Sequence, residues 1–583
     1  LAPDVAKAPK QSQTPDQKKP SQDAIDALRD EADRRLVLMR NTRNTWRETW
    51  RDITHFIMPT RGRYFNVPNQ SSRGRVKGPQ IVDRTGTIAV GNLAAFLMAG
   101  ITSPARDWFR LATSNDRLND DPQIKLWLAE CQSRLMRVFA TGNFYNAMAQ
   151  LYEEIAGFGT GATIILQDYE DVVRFYPLTA GEYYLAQNAR GEVDTLFREY
   201  VQTVDQLVRR FGYDNCSPTI QSLWDSRNLT MEVPVVHAIM PNSSRVHGAF
   251  GWRGMPYTGV YYEYGNETVK ALKVEGYSSK PFIAPRWGAI SNDVYGHGPA
   301  EDALPDVKSL QVAQLRLAEA VDKFVRPPMM ADASMQSGLV SLVPSGLNFI
   351  PGLNQIGNGG GLRPVYQTTP QLQPLQERVA AFQQQIQKTL KNDLILMVSQ
   401  DMEGVQPRTA AEINVRQQEK LLALGPVLER FHNEALDPII QTTMDIMERG
   451  GLLPKRPASL GLSNVKISYV SVLAQAQRAT MTTGIEQFTR FVGSIAGEQP
   501  DVMDNIDLDA ATDIYGDLLN IDQRIMRDPQ EVARKRQDRA YQQQQQQAAE
   551  NAMNLAQGAR NLSQTDVGGG ENALSAIVSG LGQ

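Results

Sequence analysis

Two stretches of the chain carry matching apolar stripes at helical spacing. In residues 299–326, Leu304, Val307, Leu310, Leu317, Val321 and Phe324 recur at roughly three- and four-residue intervals. In residues 371–396, Leu375, Val379, Phe382, Ile386, Leu390 and Leu394 do so more strictly. The stripes predict two helices packed on each other. Their remaining faces carry Gln311, Gln314, Glu319, Gln384, Gln385, Gln387, Lys388 and Lys391, and are expected to meet water or neighbouring molecules without strong charge. The intervening residues 327–370 hold only two charges, Asp332 and Arg363. Apolar runs at 338–343, 347–350 and 362–366, broken by Pro344, Gly346, Pro351, Gly352 and the GNGGG run at 357–361, predict two or three short strands with turns. Such an insert is too small to form its own core and is expected to bury its apolar residues against neighbours.

Around this centre the pattern alternates between helix and strand. Residues 1–20 are polar and read as a disordered arm. A helix opens at Ser21 and runs to about Ile57, a basic loop follows at 60–79, and helices are expected at 81–100, 122–140 and 144–158. Period-two alternation predicts strands at 162–167, 172–177, 182–185, 194–202, 231–240, 257–264 and 269–277, with a short helix from Thr203 to Phe211. Beyond a polar loop at 397–408, Thr409 and Glu412 form a capping box for a long helix. That helix is expected to kink at Gly425–Pro426, to bend again at Pro438 and to end at Gly450. A strand at 465–470 and helices at 474–496, 509–519 and 528–556 follow, and the Gly- and Ser-rich residues 563–583 read as a mobile tail.

Composition narrows the function classes. With 583 residues, 42% hydrophobic and 21% charged, the chain is globular and long enough for several domains. A net charge of -4 lacks the basic excess of a protein that grips nucleic acid tightly. Two cysteines, Cys131 and Cys216, argue against a disulfide framework or a zinc site. No secretory signal is visible, and the best membrane candidate, residues 88–101, is short of a span and contains Asn92. Arg34, Arg35, Arg40, Arg43, Arg47 and Arg51 give the first helix a basic face, read as solvated or salt-bridged between subunits, with phosphate contact as the alternative.

Candidate chemistry is sparse. The GFGTG run at 157–161 lacks the lysine and following helix of a phosphate loop and reads as a helix-to-strand turn. Asp501, Asp504, Asp507, Asp509, Asp513 and Asp517 miss the spacing of a calcium loop and read as helix N-terminal acids. The five histidines, His55, His237, His247, His297 and His432, lie far apart, and no serine-elbow, metalloprotease, P-loop or dinucleotide fingerprint occurs. The expectation is a chain that is not an enzyme and needs no cofactor or metal.

Four stretches resemble the portal, or head-to-tail connector, proteins of short-tailed tailed bacteriophages: DRTGTIAVGNLAAFLMAGITSPARDWFRL (83–111), YEEIAGFGTGATII (152–165), YGHGPAEDALPDVKSL (295–310) and RTAAEINVRQQEKL (408–421). Each is moderately specific, and their order and spacing together are specific. The resemblance implies an α+β, mainly helical portal fold assembled as a ring. It assigns an N-terminal arm (1–23), a wing (24–297), a first stem helix (298–326), a clip (327–370), a second stem helix (371–396) and a tunnel loop (397–408). The wing's long kinked helix and closing strand (409–472), a crown (473–527), a C-terminal helical barrel (528–562) and a flexible tail (563–583) complete it. It further implies a dodecameric ring at one capsid vertex of the virion, assembled in the host bacterial cytoplasm, through which double-stranded DNA passes during packaging and ejection. The implied partners are copies of itself, non-specifically bound DNA, the large terminase subunit, a tail adaptor, and the major capsid and scaffolding proteins, with no stable membrane insertion.

On this reading the channel candidates are Lys388, Lys391, Gln400, Asp401, Met402, Glu403, Gln406 and Arg408. The clip candidates for partner docking are Met335, Leu339, Val343, Leu347, Phe349, Ile350, Leu353, Arg363 and Tyr366. A near-neutral lining suits sliding, because each neutralised phosphate adds affinity that must be broken at every step. Lys388 and Lys391 are equally open to a reading as intersubunit salt bridges. Two rivals stand beside the portal: an internal core or DNA-ejection protein of the virion, and a metal-dependent nuclease built on the aspartates between 501 and 517.

Overall fold

The computed structural model describes residues 22–62, 81–113, 118, 121–265, 271–332, 346–350, 363–364, 372–392, 425–460, 465–469, 484–494, 507–518, 529–564 and 577. The chain divides into two compact units. The first comprises Leu1–Leu111, Glu130–Lys455 and Ile467–Gln477, and the second Ala112–Ala129, Arg456–Lys466 and Arg478–Gln583.

In chain order the first elements are α1 (Gln22–Phe56), α2 (Thr85–Ile101), β1 (Phe109–Thr113), α3 (Pro122–Thr141) and α4 (Phe144–Phe158). Then come β2 (Ala162–Asp168), β3 (Val172–Leu178), β4 (Tyr183–Gln187), β5 (Val193–Thr203), α5 (Val204–Phe211), α6 (Pro218–Asp225), β6 (Glu232–Pro241), β7 (Tyr257–Glu263), β8 (Lys273–Tyr277) and β9 (Phe282–Ile283). The helix pair α7 (Pro299–Val325) and α8 (Gln373–Thr389) brackets β10 (Met329–Asp332), β11 (Leu347–Ile350) and β12 (Arg363–Pro364). After it lie α9 (Gly425–Phe431), α10 (Asp437–Arg449), β13 (Val465–Tyr469), α11 (484–494), α12 (Leu508–Leu518) and α13 (Pro529–Gln564).

The first unit is built on a five-stranded antiparallel meander in the order β4-β5-β6-β7-β8. Successive side chains on a strand point to opposite faces, so the two faces take different cover. Val236, Ala238 and Met240 of β6, with Tyr184, Phe197, Val260 and Tyr262, pack under Ala32, Leu36 and Met39 of α1. On the opposite face Val235, Tyr261 and Leu272 meet Val204, Leu207 and Phe211 of α5 and Ile220 of α6. The sequence pattern gave no sign of α6. Its local signal is Ser217 followed by Pro218: the Ser217 hydroxyl accepts from Ile220 N at 3.2 Å, and proline takes the first turn.

A second sheet, β3-β2-β9, lies against α4. Beside it Trp108, Phe139, Phe144 and Phe175 form an aromatic cluster, with Trp108 stacked on Phe144 at 5.7 Å. Asn143 locks the corner between α3 and α4 to β3 by donating to Phe175 O at 2.6 Å and accepting from Phe175 N at 2.9 Å.

The long helix widens just before Pro438, where a bend is expected. Residues His432–Leu436 form a π turn between α9 and α10, and Asp437 N donates to His432 O five residues back. Pro438 has no N–H for the carbonyl of Glu434, and its ring crowds that carbonyl, so the ladder absorbs one extra residue rather than breaking. The segment before Gly425 lies outside the described residues. In the second unit, Asp507 caps α12 by accepting from Ala510 N at 2.9 Å, as expected for a helix N-terminal acid. The Tyr515 hydroxyl donates to Glu486. Helix α13 runs for 36 residues, with Tyr541, Met553 and Leu555 exposed along it.

Two histidines sit where charge is disfavoured. His237 is buried in the meander, stacked on Tyr261 at 3.9 Å, and burial with Arg210 and Arg198 nearby holds it well below its ordinary value of 6.5. His432 stacks on Tyr469 at 4.0 Å, and burial pushes it down to about 4. A lowered folded-state value means that their contribution is complete above about pH 6.5 and is lost as pH falls below it. The urea midpoint is therefore expected to drop between pH 7 and pH 5.5, and His432→Gln to flatten that slope; an unchanged slope in the variant would refute the assignment.

Candidate channel and assembly elements

Helix α7 is launched from a backbone-to-backbone contact. Gly159 closes α4 in the left-handed region at φ +71. A Cβ there would lie 2.4 Å from Gly296 O and 2.5 Å from Gly298 N. Across the contact Trp287 N donates to Gly159 O at 2.8 Å and Gly296 N to the Thr160 hydroxyl at 2.7 Å. The GFGTG run is thus the helix-to-strand turn its sequence suggested, and it is also the seat of the helix pair. Trp50 and Tyr295 meet edge to face at 5.1 Å above it, and the Tyr295 hydroxyl accepts from Leu185 N at 3.0 Å. Gly298 then caps α7, with Pro299 in its first turn and Glu301 and Asp302 near the positive end.

The burial of α7 is split along its length. Ala300, Ala303, Leu304, Val307 and Leu310 are buried against α1, α2 and α4. Lys308 reaches Asp52 of α1 at 2.6 Å, and Val307 sits against Gly86 of α2. Gln311 marks the boundary and departs from expectation. Instead of facing water it is 5% exposed: its Oε1 accepts from Val82 N at 2.7 Å and Asp83 N at 2.9 Å, and its Nε2 donates to Asp83 O at 2.8 Å. An amide has donors and an acceptor at one tip, so it can satisfy a bare backbone segment that an apolar residue would leave unpaired. From α8, Gln383 donates to the Asp83 carboxylate at 2.8 Å, which places Gln311 and Gln383 at one level of an antiparallel pair.

Beyond Gln311 the predicted stripe is only partly covered by the described residues: Leu317 is half-buried. Val321 is 40% exposed and Phe324 58%, and Val312, Leu315 and Val325 are open beside them. On α8, Val379 and Ile386 are buried, as is Leu390 just past its end, while Leu375 and Phe382 are half-buried. Among the described residues α8 accompanies this part of α7, and the side turned from it is about half exposed.

Sequence similarity identifies the setting of this arrangement. The family described as bacteriophage head to tail connecting protein matches residues 29–526. The chain is 39% identical over 512 residues to the "Probable portal protein" of Bordetella phage BPP-1, covering 87% of this chain and 91% of that one. It is 36% identical over 500 residues to the "Portal protein" of Salmonella phage epsilon15, covering 86% and 89%. The chain belongs to the phage head-to-tail connector family.

In this connector the channel candidates fall in two groups. Lys388 is exposed on the last turn of α8, and Lys391, also exposed, follows at φ +58. Gln400, Asp401, Met402, Glu403, Gln406 and Arg408 lie outside the described residues. Of the docking candidates, Leu347 is 48% exposed on β11, and Phe349, Ile350 and Arg363 lie on β11 and β12. These strands flank β10, which pairs parallel with β11 and antiparallel with β12. Strand β10 was not foreseen; Met335, Leu339, Val343, Leu353 and Tyr366 are outside the described residues.

The basic face of α1 is largely engaged within the chain. Arg40 donates to the Tyr264 hydroxyl at 2.6 Å and pairs with Glu199. Arg43 donates to Gly181 O at 2.7 Å and lies 3.9 Å over the Tyr184 ring. Arg35 pairs with Glu31 at 2.6 Å. Two further ion pairs went unread in the sequence. Arg61 meets Glu154 at 2.9 Å, and Arg286 meets Glu434 of the π turn at 2.7 Å. The second borders a polar cavity of about 720 Å³, also lined by Glu192, Asp194, Lys280 and Asp445. Partners separated by 93 or 148 positions carry no local spacing signal. Among the described residues no group of three or more acid, histidine or cysteine side chains could hold a metal, and no helix is long and apolar enough to cross a membrane.

The backbone contact between Gly159 and Gly296–Gly298 can be tested by substitution. Gly159→Ala adds left-handed strain to a clash with backbone atoms that cannot rotate away, and is expected to cost at least about 2–4 kcal/mol. Gly191→Ala, at φ +77 but with open space around it, should cost only about 1 kcal/mol. Equal losses in urea unfolding would show that the Gly159 contact does not need a residue without a Cβ.

Proposed function

We propose that the chain assembles as a dodecameric ring at one capsid vertex and that α7 and α8 form the wall of its channel. Double-stranded DNA passes through that channel during packaging and ejection. The large terminase subunit and then the tail adaptor dock at residues 327–370, and the loop at 397–408 faces the DNA. Residues 24–297 with 409–472 serve as the wing, and residues 473–562 as crown and helical barrel.

The split burial of α7 carries this reading. Its first half is fixed to the body of its own chain, and its second half presents Val312, Leu315, Val321, Phe324 and Val325, each about half exposed. A second copy offers cover without a new kind of partner. Where two different surfaces of one chain meet, the assembly is a ring if the rotation closes and a filament if it does not. Lys388 becomes a ring of charge when repeated around such a channel. With a net charge of -4 the chain does not hold DNA through a broad basic surface, which suits passage.

Phe324→Asp is expected to leave the chain's own stability within about 0.5 kcal/mol, because the site is exposed, while abolishing rings in negative-stain images. Rings at wild-type yield would contradict the proposal. Lys388→Glu is expected to preserve rings and alter DNA packaged per particle. Loss of rings would instead assign Lys388 to an intersubunit salt bridge.

A further inference from the structure

The two most exposed aromatic side chains among the described residues are Tyr169, at 99%, and Phe250, at 87%. Each stands on an ordered projection whose tip residues carry one sign of charge, although Arg174 at the base of the first pairs with Asp171 at 3.2 Å. Tyr169 tips the β2–β3 hairpin between Asp168, Glu170 and Asp171, with no basic residue from Gln167 to Val172. The turn is held by Asp168, whose carboxylate accepts from Glu170 N at 2.7 Å and Asp171 N at 3.1 Å. It ends on Val172 at φ +69, a conformation that a β-branched residue adopts only under strain.

Phe250 stands on the β6–β7 loop. Residues 241–256 contain Arg245, His247 and Arg253 and no acid. Asn242 donates to Trp252 O at 2.9 Å and Met255 O at 3.0 Å, Arg245 to Gly254 O at 2.9 Å, and Val246 N to Arg253 O at 2.8 Å. Gly248 and Gly251, both at positive φ, flank the phenylalanine and turn it outward. Val246, 55% exposed, accompanies it. Such loops present an aromatic anchor with little left to order on binding.

We infer that the acidic Tyr169 hairpin of one copy docks on the basic Phe250 loop of the next. Opposite charge around two aromatic tips favours this pairing over either tip meeting its own kind. Within one chain the two tips leave each other uncovered, so the contact is between copies. It joins two different surfaces, as a closed ring requires. The inference rests on the ring proposed above.

A chain carrying both Tyr169→Cys and Phe250→Cys, treated with a short bismaleimide cross-linker, tests it. The native cysteines Cys131 and Cys216 are buried and give little background. The expected result is a denaturing-gel ladder reaching the full ring, absent from either single variant. Arg253→Glu is expected to lower ring yield roughly ten-fold or more, and Glu170→Arg in the same chain to restore most of it. Intact rings that give no ladder, or an Arg253→Glu chain with unchanged ring yield, would overturn the docking while leaving the ring standing. A chain that forms no rings before any substitution, and no ladder with both cysteines, would overturn both.

Discussion

The helix pair depends on a place where no side chain fits. The turn after α4 and the segment entering α7 touch through Gly159, Gly296 and Gly298, with backbone atoms closer than any Cβ tolerates. Hydrogen bonds from Trp287 N and Gly296 N cross the same contact. Because backbone atoms have no rotamers, this seat fixes the direction of α7 more rigidly than apolar packing could. The Trp50–Tyr295 pair and the buried Gln311 extend the grip along the first half of the helix. The consequence is mechanical: one half of α7 is part of the wall of its own chain, and the other half is carried out beyond it.

That division gives an energetic reason for assembly. Burying the five bare apolar side chains, each about half exposed, contributes on the order of 4–7 kcal/mol per contact. Bringing two copies together costs about 4–15 kcal/mol in lost freedom. A single contact is then marginal. A closed ring gains one more interface than it has association steps, so closure favours the complete assembly over partial ones. A marginal single interface also keeps isolated chains from sticking irreversibly before a ring can close.

The legible parts of the fold were those with local signals. Apolar recurrence placed α7 to within a residue of its observed end, and the alternating pattern located β5, β6 and β7. The glycine run announced a turn but not the surface it would press against, since Gly296 and Gly298 lie far along the chain. Gln311 was misread because a glutamine on a helix ordinarily faces solvent. Its burial follows from two backbone amides at Val82 and Asp83 that needed an acceptor, a requirement set by tertiary structure alone. Arg40 and Arg43 read as a solvated or intersubunit face because their partners, Glu199, Tyr264 and Gly181, come from distant strands and turns. The stripe of α7 was correct as a pattern and incomplete as an inference: periodicity marks a face that must be covered, not which molecule covers it.

What covers the far half of α7 decides whether the chain closes into a ring, and the mass of the purified native assembly measures it directly. Native mass spectrometry at micromolar concentration is expected to give a single species at twelve times the chain mass. A monomer that persists across concentration and ionic strength, with its far α7 residues still open to solvent, would contradict it.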